Sequence, residues 1–416
     1  MKITFLIHDL YGLGGTNRTT LNLAVALAER HAVTIVSVRR HRTEPEFEID
    51  PRLTVVPLVD ARPGSDDRAH PLTAEPSTAF PPAEKRLAQY SRLIDQRVEE
   101  YLRECDADVI IGTRPGINVY LSRFGPPTAL RIAQEHLTYD SHGARLRGQF
   151  ARFYRRLDAL VTITEADAAM YRARMSLPGL RVLAIPNSVP DIGTSPADGT
   201  AKVIAAAGRL ARGKRYDLLI DAFGDVAAKY PDWTLRIYGV GPEKAAIQQF
   251  IDDRGLNGRA VLMGVVSPIE GEFAKASIVA SASDAESFGM TLVEAMRCGV
   301  PVVSTDCPLG PAEIITDGVD GRLVPKGDRD ALAAALLELV ADEPARRRMG
   351  EAALASAHRY DPDRAVAAYE ALFADLAASR RSRAWKRQTA RVRHSVTRTP
   401  ARTLRSAARR LKHGRG

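Results

Sequence analysis

The chain has 416 residues, 45% hydrophobic and 26% charged, which is enough for two domains with separate cores and ordinary for a soluble globular protein. Its three cysteines, Cys105, Cys298 and Cys307, are odd in number and lack CxxC spacing, so they read as free thiols in a reducing compartment. The net charge of +9 is uneven: residues 380–416 carry fourteen Lys and Arg and no Asp or Glu, leaving 45 basic against 50 acidic residues elsewhere.

The opening "MKITFLIHDLYGLGG" reads as an apolar strand and a turn, too polar afterwards for a secretory signal, and no apolar run approaches the ~18 residues of a membrane span. A cytoplasmic protein, peripheral on a membrane at most, is expected. Strands are predicted at 2–8, 32–38, 53–59, 107–113, 129–136 and 159–164, and helices at 16–30, 83–104, 143–156 and 165–175. Strands separated by helices indicate a parallel sheet covered on both faces. The segment 61–82, rich in Pro, Ser and charge, reads as a long mobile loop. A linker at 188–200 precedes a second series, with strands at 203–208, 234–238, 260–263, 278–280, 302–304 and 322–324. The matching helices fall at 216–229, 242–254, 289–298, 329–341 and 344–358, and a last one at 362–378 precedes the basic tail. The fold class is therefore α/β: two doubly wound parallel-sheet domains, 1–190 and 191–361, facing across a cleft. The closing helix 362–378 is expected to pack back on the first domain, and residues 379–416 form the tail.

Three stretches carry chemistry. "GLGGTNR" (12–18) follows the first strand and opens a helix, but Asn17 replaces the third glycine of a dinucleotide fingerprint and no acid closes the second strand, so a nicotinamide or flavin is not expected. What remains is a turn in which Gly14 and Gly15 let backbone amides approach an anion or a sugar. In "GRLARGK" (208–214), Arg209 and Lys214 flank a loop at a strand's carboxyl end, two cations suited to a diphosphate. In "ESFGMTLVEAMRCGVPVV" (286–303), Glu286 precedes a helix and Glu294 lies in its second turn. Eight helical residues span about 12 Å, too far for two carboxylates to share one ion. They could instead grip opposite ends of an elongated ligand, with phosphate at the helix start between them. "DCPLGPAEIITDG" (306–318) reads as a turn with Glu313 in a first helical turn.

In this order and spacing the motifs resemble the retaining glycosyltransferases of family 4, which have the GT-B fold; the resemblance covers about residues 1–378, and the 306–318 stretch is similar to that of enzymes decorating cell-surface polymers. It implies that Arg209 and Lys214 bind the donor pyrophosphate, that Glu286 lies at the sugar and Glu294 at the ribose, and that Phe288, Gly289 and Met290 offer backbone amides. It also implies a histidine after a first-domain strand, facing the sugar: His136, with His8 and His142 as rivals. The expected function is transfer of a hexose from a nucleotide sugar, UDP-linked by preference, to a cell-envelope glycan, glycopolymer or lipid-linked acceptor. The alternatives are a GDP-mannose-dependent mannosyltransferase and, from another class, an inactive sugar-nucleotide binder. The DxD patterns at 106–108 and 361–363 sit at the amino end of a strand and the start of a helix, so neither a metal nor another cofactor is expected.

The acid-free tail places Trp385, Thr389, Val392 and Val396 on one helical face among basic residues. That pattern suits an anionic membrane surface, each basic residue contributing about 1 kcal/mol. A single aromatic and an acidic body argue against nucleic acid. Truncation after Ala378 is expected to abolish co-sedimentation with anionic liposomes and to leave donor binding intact. Full-length protein that ignores such liposomes at low salt would contradict this.

Overall fold

Strand segments without a polar face must be covered on both sides, and that rule builds both halves of the computed structural model, which describes residues 1–175, 177–191, 193–380 and 382–383. The first half has β1 (Lys2–Asp9), β2 (Ala32–Arg40), β3 (Thr54–Asp60), β4 (Val109–Gly112), β5 (Leu130–Glu135), β6 (Ala159–Thr162) and β7 (Arg181–Ala184). The second has β8 (Val203–Ala207), β9 (Thr234–Tyr238), β10 (Ala260–Gly264), β11 (Ile278–Ser281), β12 (Val302–Asp306) and β13 (Gly321–Pro325). Every pairing is parallel, in the orders β3-β2-β1-β4-β5-β6-β7 and β10-β9-β8-β11-β12-β13. Side chains of β1 alternate between two cores: Leu6 joins the cluster around Tyr120 and Phe150, while Phe5 and Ile7 join the one around Tyr369 and Phe373.

Tyr369 and Phe373 belong to the helix Pro362–Ala378. Although last in sequence, it packs on the first domain, against helix Gly15–Ala28 and β5, and the Tyr369 hydroxyl accepts from Gln134 Nε2 at 2.9 Å. The two chain crossings between domains are joined, the Val189 amide donating to the Tyr360 carbonyl at 3.0 Å. No described helix is long and apolar enough to cross a membrane. The tail carrying Trp385 lies outside the described residues.

Several details differ from the sequence reading, among them the edge strand β7, which was not foreseen. The helix expected over 83–104 is Arg92–Glu104, because Ser91 caps it, its side chain accepting from the Ile94 amide, and the chain before it turns away. The helix Pro115–Phe124 was not foreseen; Pro115 sits in its first turn, where a missing N–H costs nothing. Gly116 lets Phe80 pack down, as a Cβ there would lie 2.0 Å from the ring. The segment 61–82 is not a loose excursion. Asp95 accepts from the Thr78 and Ala79 amides at 2.8 and 3.1 Å and from the Tyr120 hydroxyl at 2.6 Å, and Phe80 stacks on Tyr90 with centroids 3.5 Å apart.

Candidate active site

Strand order reverses between β8 and β11, and loops leaving their carboxyl ends diverge there, which is where open α/β sheets hold ligands. The loop after β8 is shaped by glycines. Gly208 has φ 152°, and a Cβ on it would lie 3.2 Å from the Tyr216 hydroxyl. The turn after β9 supports it closely: a Cβ on Gly239 would sit 1.9 Å from the Gly208 carbonyl oxygen, and one on Gly241 2.2 Å from that of Leu210. The stretch "YGVGPE" (238–243) is thus the backing of the GRLARGK loop, a role its sequence alone did not disclose.

That loop presents its two cations in different states. Arg209 is exposed, with no side-chain partner among the described residues. Lys214 Nζ reaches Glu286 Oε1 at 2.5 Å, and Ser283 Oγ donates to the same oxygen at 2.7 Å. The Asp284 amide donates to the Gly213 carbonyl at 2.9 Å, so the loops after β8 and β11 are also joined through backbone. Glu286 bridges to Leu309, and Gly310 packs so near that a Cβ would fall 1.8 Å from the Phe288 carbonyl oxygen. The 306–318 stretch therefore fixes the backbone that carries Glu286.

Phe288 is core, edge-on to Tyr360 with centroids 5.4 Å apart, and offers the site only main chain. Gly289, with φ 111°, caps the helix Met290–Arg297 without a side-chain bond, and the Gly289 and Met290 amides have no carbonyl partner among the described residues. Glu294, 3% exposed, lies inside that helix. Its Oε1 is 3.3 Å from Arg18 Nε, while Arg18 Nη2 reaches Glu270 Oε1 at 2.5 Å. The arginine of the GGTNR motif, on helix Gly15–Ala28, thus ties the first domain to two buried carboxylates of the second. Burial, aided by Glu270 and opposed by Arg18, pushes the Glu294 carboxyl up to about 7. Neither Glu270 nor this use of Arg18 was read from the sequence, because nothing in a linear spacing pairs residues 252 apart. A second cross-domain tie was also missed: Glu313 accepts from the Glu165 and Ala166 amides at 2.9 and 2.8 Å, capping a first-domain helix.

On the first-domain side, Gly14 and Gly15 are exposed, with nothing within 4 Å of a Cβ on either. Their turn is held by Asn17, whose Nδ2 donates to the Asp9, Leu10 and Gly12 carbonyls at 2.8, 3.2 and 2.7 Å. The residue that breaks the dinucleotide fingerprint is the buckle of the loop. His136 follows β5; its Nε2 is buried without a partner, and burial lowers the imidazole to about 4, so it is neutral at pH 7. Its two rivals are otherwise occupied. His8 bonds to the Tyr90 hydroxyl and Gln89, and His142 lies 3.7 Å from buried Glu135, edge-on to Phe150. Glu135 itself is interior, accepting from Asn118 Nδ2 at 2.9 Å and from the Tyr154 hydroxyl. Of the DxD residues, Asp106 pairs with Lys2 and Asp361 with Arg297, and among the described residues no group of three His, Cys, Asp or Glu side chains is placed to hold a metal ion.

Two parallel α/β domains with their strand ends turned to one cleft define the GT-B class. The chain superimposes on a variant of TarM from S. aureus, solved with fondaparinux, alpha-GlcNAc-glycerol and UDP, at TM-score 0.72 and 16% identity over 89% of this chain and 99% of that one. It superimposes on Anabaena HepE, solved with UDP-glucose, at TM-score 0.67 and 20% identity over 91% and 100%. Residues 191–355 match the family "Glycosyl transferases group 1" and residues 14–188 the "Glycosyl transferase 4-like domain". Together these matches take in most of the chain, which belongs to the GT-B glycosyltransferases. An exopolysaccharide phosphotransferase of Streptomyces coelicolor is 34% identical over 91% of this chain, which spans only 41% of that protein's length.

The raised Glu294 sets a pH signature. The folded state holds this proton up to about 7, whereas an unfolded glutamate releases it near 4.3. Its contribution to stability is therefore full below about 4.3 and is lost as pH rises through about 7. Glu294→Gln, which mimics the protonated form, should match the native chain at about pH 4 and exceed it by on the order of 1–3 kcal/mol above about pH 7 in urea melts. A difference that does not change with pH would contradict this.

Proposed function

We propose that the chain is a retaining hexosyltransferase that takes a UDP-sugar as donor and a cell-envelope glycan or glycopolymer as acceptor. The observation that carries this reading is the pairing at the second switch point: Arg209, without a side-chain partner among the described residues, and a Lys214–Glu286 ion pair that a diphosphate can open. Arg209 forks two diphosphate oxygens. Lys214 exchanges the Glu286 carboxylate for the leaving diphosphate, and the freed carboxylate accepts from sugar hydroxyls. The amides at Gly289 and Met290 face the same growing negative charge, a preorganised stabilisation of the departing group. Glu294, with one oxygen held by Arg18, offers the other to the ribose. Neutral His136 presents an unspent ring nitrogen to the sugar or acceptor from the first domain, where positioning supplies much of the remaining acceleration. The UDP in two structural neighbours supports the donor, and the exopolysaccharide in the S. coelicolor relative's name supports the acceptor class.

Arg209→Ala and Lys214→Ala each remove a charge-assisted contact of roughly 1.5–3 kcal/mol. Transfer or donor hydrolysis should fall at least tenfold while the melting temperature is kept. Normal turnover in both variants would contradict the assignment. In a panel of UDP-, GDP- and ADP-sugars, a UDP-hexose should give the largest thermal shift and be hydrolysed. A response to GDP-mannose alone would change the donor, and a shift without turnover would make the chain a binder.

We also propose that the reaction needs no metal, since Arg209, Lys214 and the helix amides supply the positive charge. Turnover should persist in excess EDTA. Complete loss restored by Mg²⁺ or Mn²⁺ would refute this.

A further inference from the structure

The first sheet has its own switch point, between β1 and β4, and the carboxyl ends of β1, β2 and β4 deliver His8, Arg39 and Arg114 there. One neutral oxygen collects donors from this cluster. Gln89 Oε1 lies 2.9 Å from His8 Nε2, 3.1 Å from Arg86 Nη1 and 3.3 Å from Arg39 Nη1. Gln89 Oε1 can only accept, so its 2.9 Å contact places the hydrogen on His8 Nε2, and the Tyr90 hydroxyl, kept protonated by burial, donates to Nδ1 at 2.7 Å; Arg86 Nη1, 3.2 Å from Nε2, directs its hydrogen to Oε1. Burial and the surrounding guanidiniums lower His8 to about 2, so the ring is neutral and the charge is carried by arginine.

These charges are poorly compensated. Arg114 pairs with Glu84 at 2.9 Å, but among the described residues neither Arg39 nor Arg86 forms an ion pair with a carboxylate. The nearby acids are committed elsewhere, Asp9 to His41 and Asp60 to Arg62. Two guanidiniums and an N–H aimed at one amide oxygen form weaker bonds than they would with an anion, for which charge-assisted bonds are about twice as strong. Arg39, Gln89 and Tyr90 lie on the wall of a cavity of about 590 Å³ that Asp60, Asp67 and Glu75 also line; Asp60 is paired with Arg62 and Asp67 lies 3.6 Å from Arg97, so the arginine side of the cavity is the one open to an anion. The β1 and β5 ends are two strands apart, so the cluster lies about 10 Å from the end of β5, where His136 stands.

We propose that this cluster is an acceptor subsite for a phosphate group, bound by Arg39, Arg86 and His8 Nε2–H, with Gln89 Oε1 occupying the place of a phosphate oxygen in the free protein. The proposal rests on the glycosyltransferase reading above and adds the acceptor's chemical class: a phosphate ester about one or two sugar lengths from the hydroxyl that receives the hexose. The source of that phosphate is a soluble ester or a lipid headgroup.

The test uses the full chain saturated with UDP, so that the donor diphosphate site is filled, titrated with glycerol 3-phosphate by calorimetry and with phosphatidylglycerol vesicles by sedimentation. Binding of at least one probe should weaken tenfold or more in the Arg39→Gln/Arg86→Gln variant. Gln89→Glu, which installs an internal anion at an exposed position, should weaken it as much, and Gln89→Ala should preserve it. UDP affinity should change less than twofold in all three, which also reports folding. Loss confined to glycerol 3-phosphate marks a soluble ester, and loss confined to vesicles a headgroup. Native binding of neither probe, or binding indifferent to both the arginine pair and Gln89→Glu, would overturn the proposal. Failure of UDP to bind the native chain would instead overturn the donor reading, and the arginine dependence of the two probes would still decide this one.

Discussion

The contact between Lys214 and Glu286 organises the second domain's face of the cleft. It joins residues 72 apart, and it exists because parallel topology sends the loops after β8 and β11 out at the one place where the strand order reverses. Both side chains are only partly exposed, 27% for Lys214 and 14% for Glu286, so each needs a charged or hydrogen-bonding partner. Without ligand they satisfy each other. The loops around them are held by backbone approaches that admit only glycine at 239, 241 and 310. The site is therefore constrained in its main chain and exchangeable in its side-chain pairing, the combination that suits the proposed diphosphate exchange.

The two halves of the molecule are tied by fewer but more buried contacts. Arg18 reaches from the first domain to Glu270 and Glu294, Glu313 caps a first-domain helix from the second, and the helix Pro362–Ala378 carries the end of the fold back across. Among the described residues Arg18 is the one cation facing these two buried carboxyls, so removing it would leave both without a charge partner, at a cost far above what an exposed pair is worth. Domain orientation and the ionisation of Glu294 are thereby linked, because Arg18, carried by the first domain, opposes the rise that burial gives this second-domain carboxyl.

Much of this was legible in the sequence, and the failures have identifiable causes. The alternating strands and helices, the GRLARGK loop and the two glutamates stood out because each is a local pattern with a local consequence. The helix Pro115–Phe124 did not, because a Pro-Gly pair that normally ends helices here begins one and makes room for Phe80. The segment 61–82 looked loose because its composition is polar, whereas Asp95 and Phe80 hold it from positions no periodicity connects. Asn17 looked like a defect in a glycine fingerprint until its three carbonyl contacts were seen. The partners of Arg18, the role of Glu270 and the convergence on Gln89 depend on tertiary neighbours and had no linear signature.

The most direct test of the Lys214–Glu286 switch is a crystal structure of the chain with UDP. The diphosphate should lie within hydrogen-bond distance of Arg209 and Lys214, with Lys214 Nζ drawn more than about 4 Å from Glu286, beyond ion-pair range. A nucleotide bound elsewhere, with the Lys214–Glu286 pair intact, would contradict it.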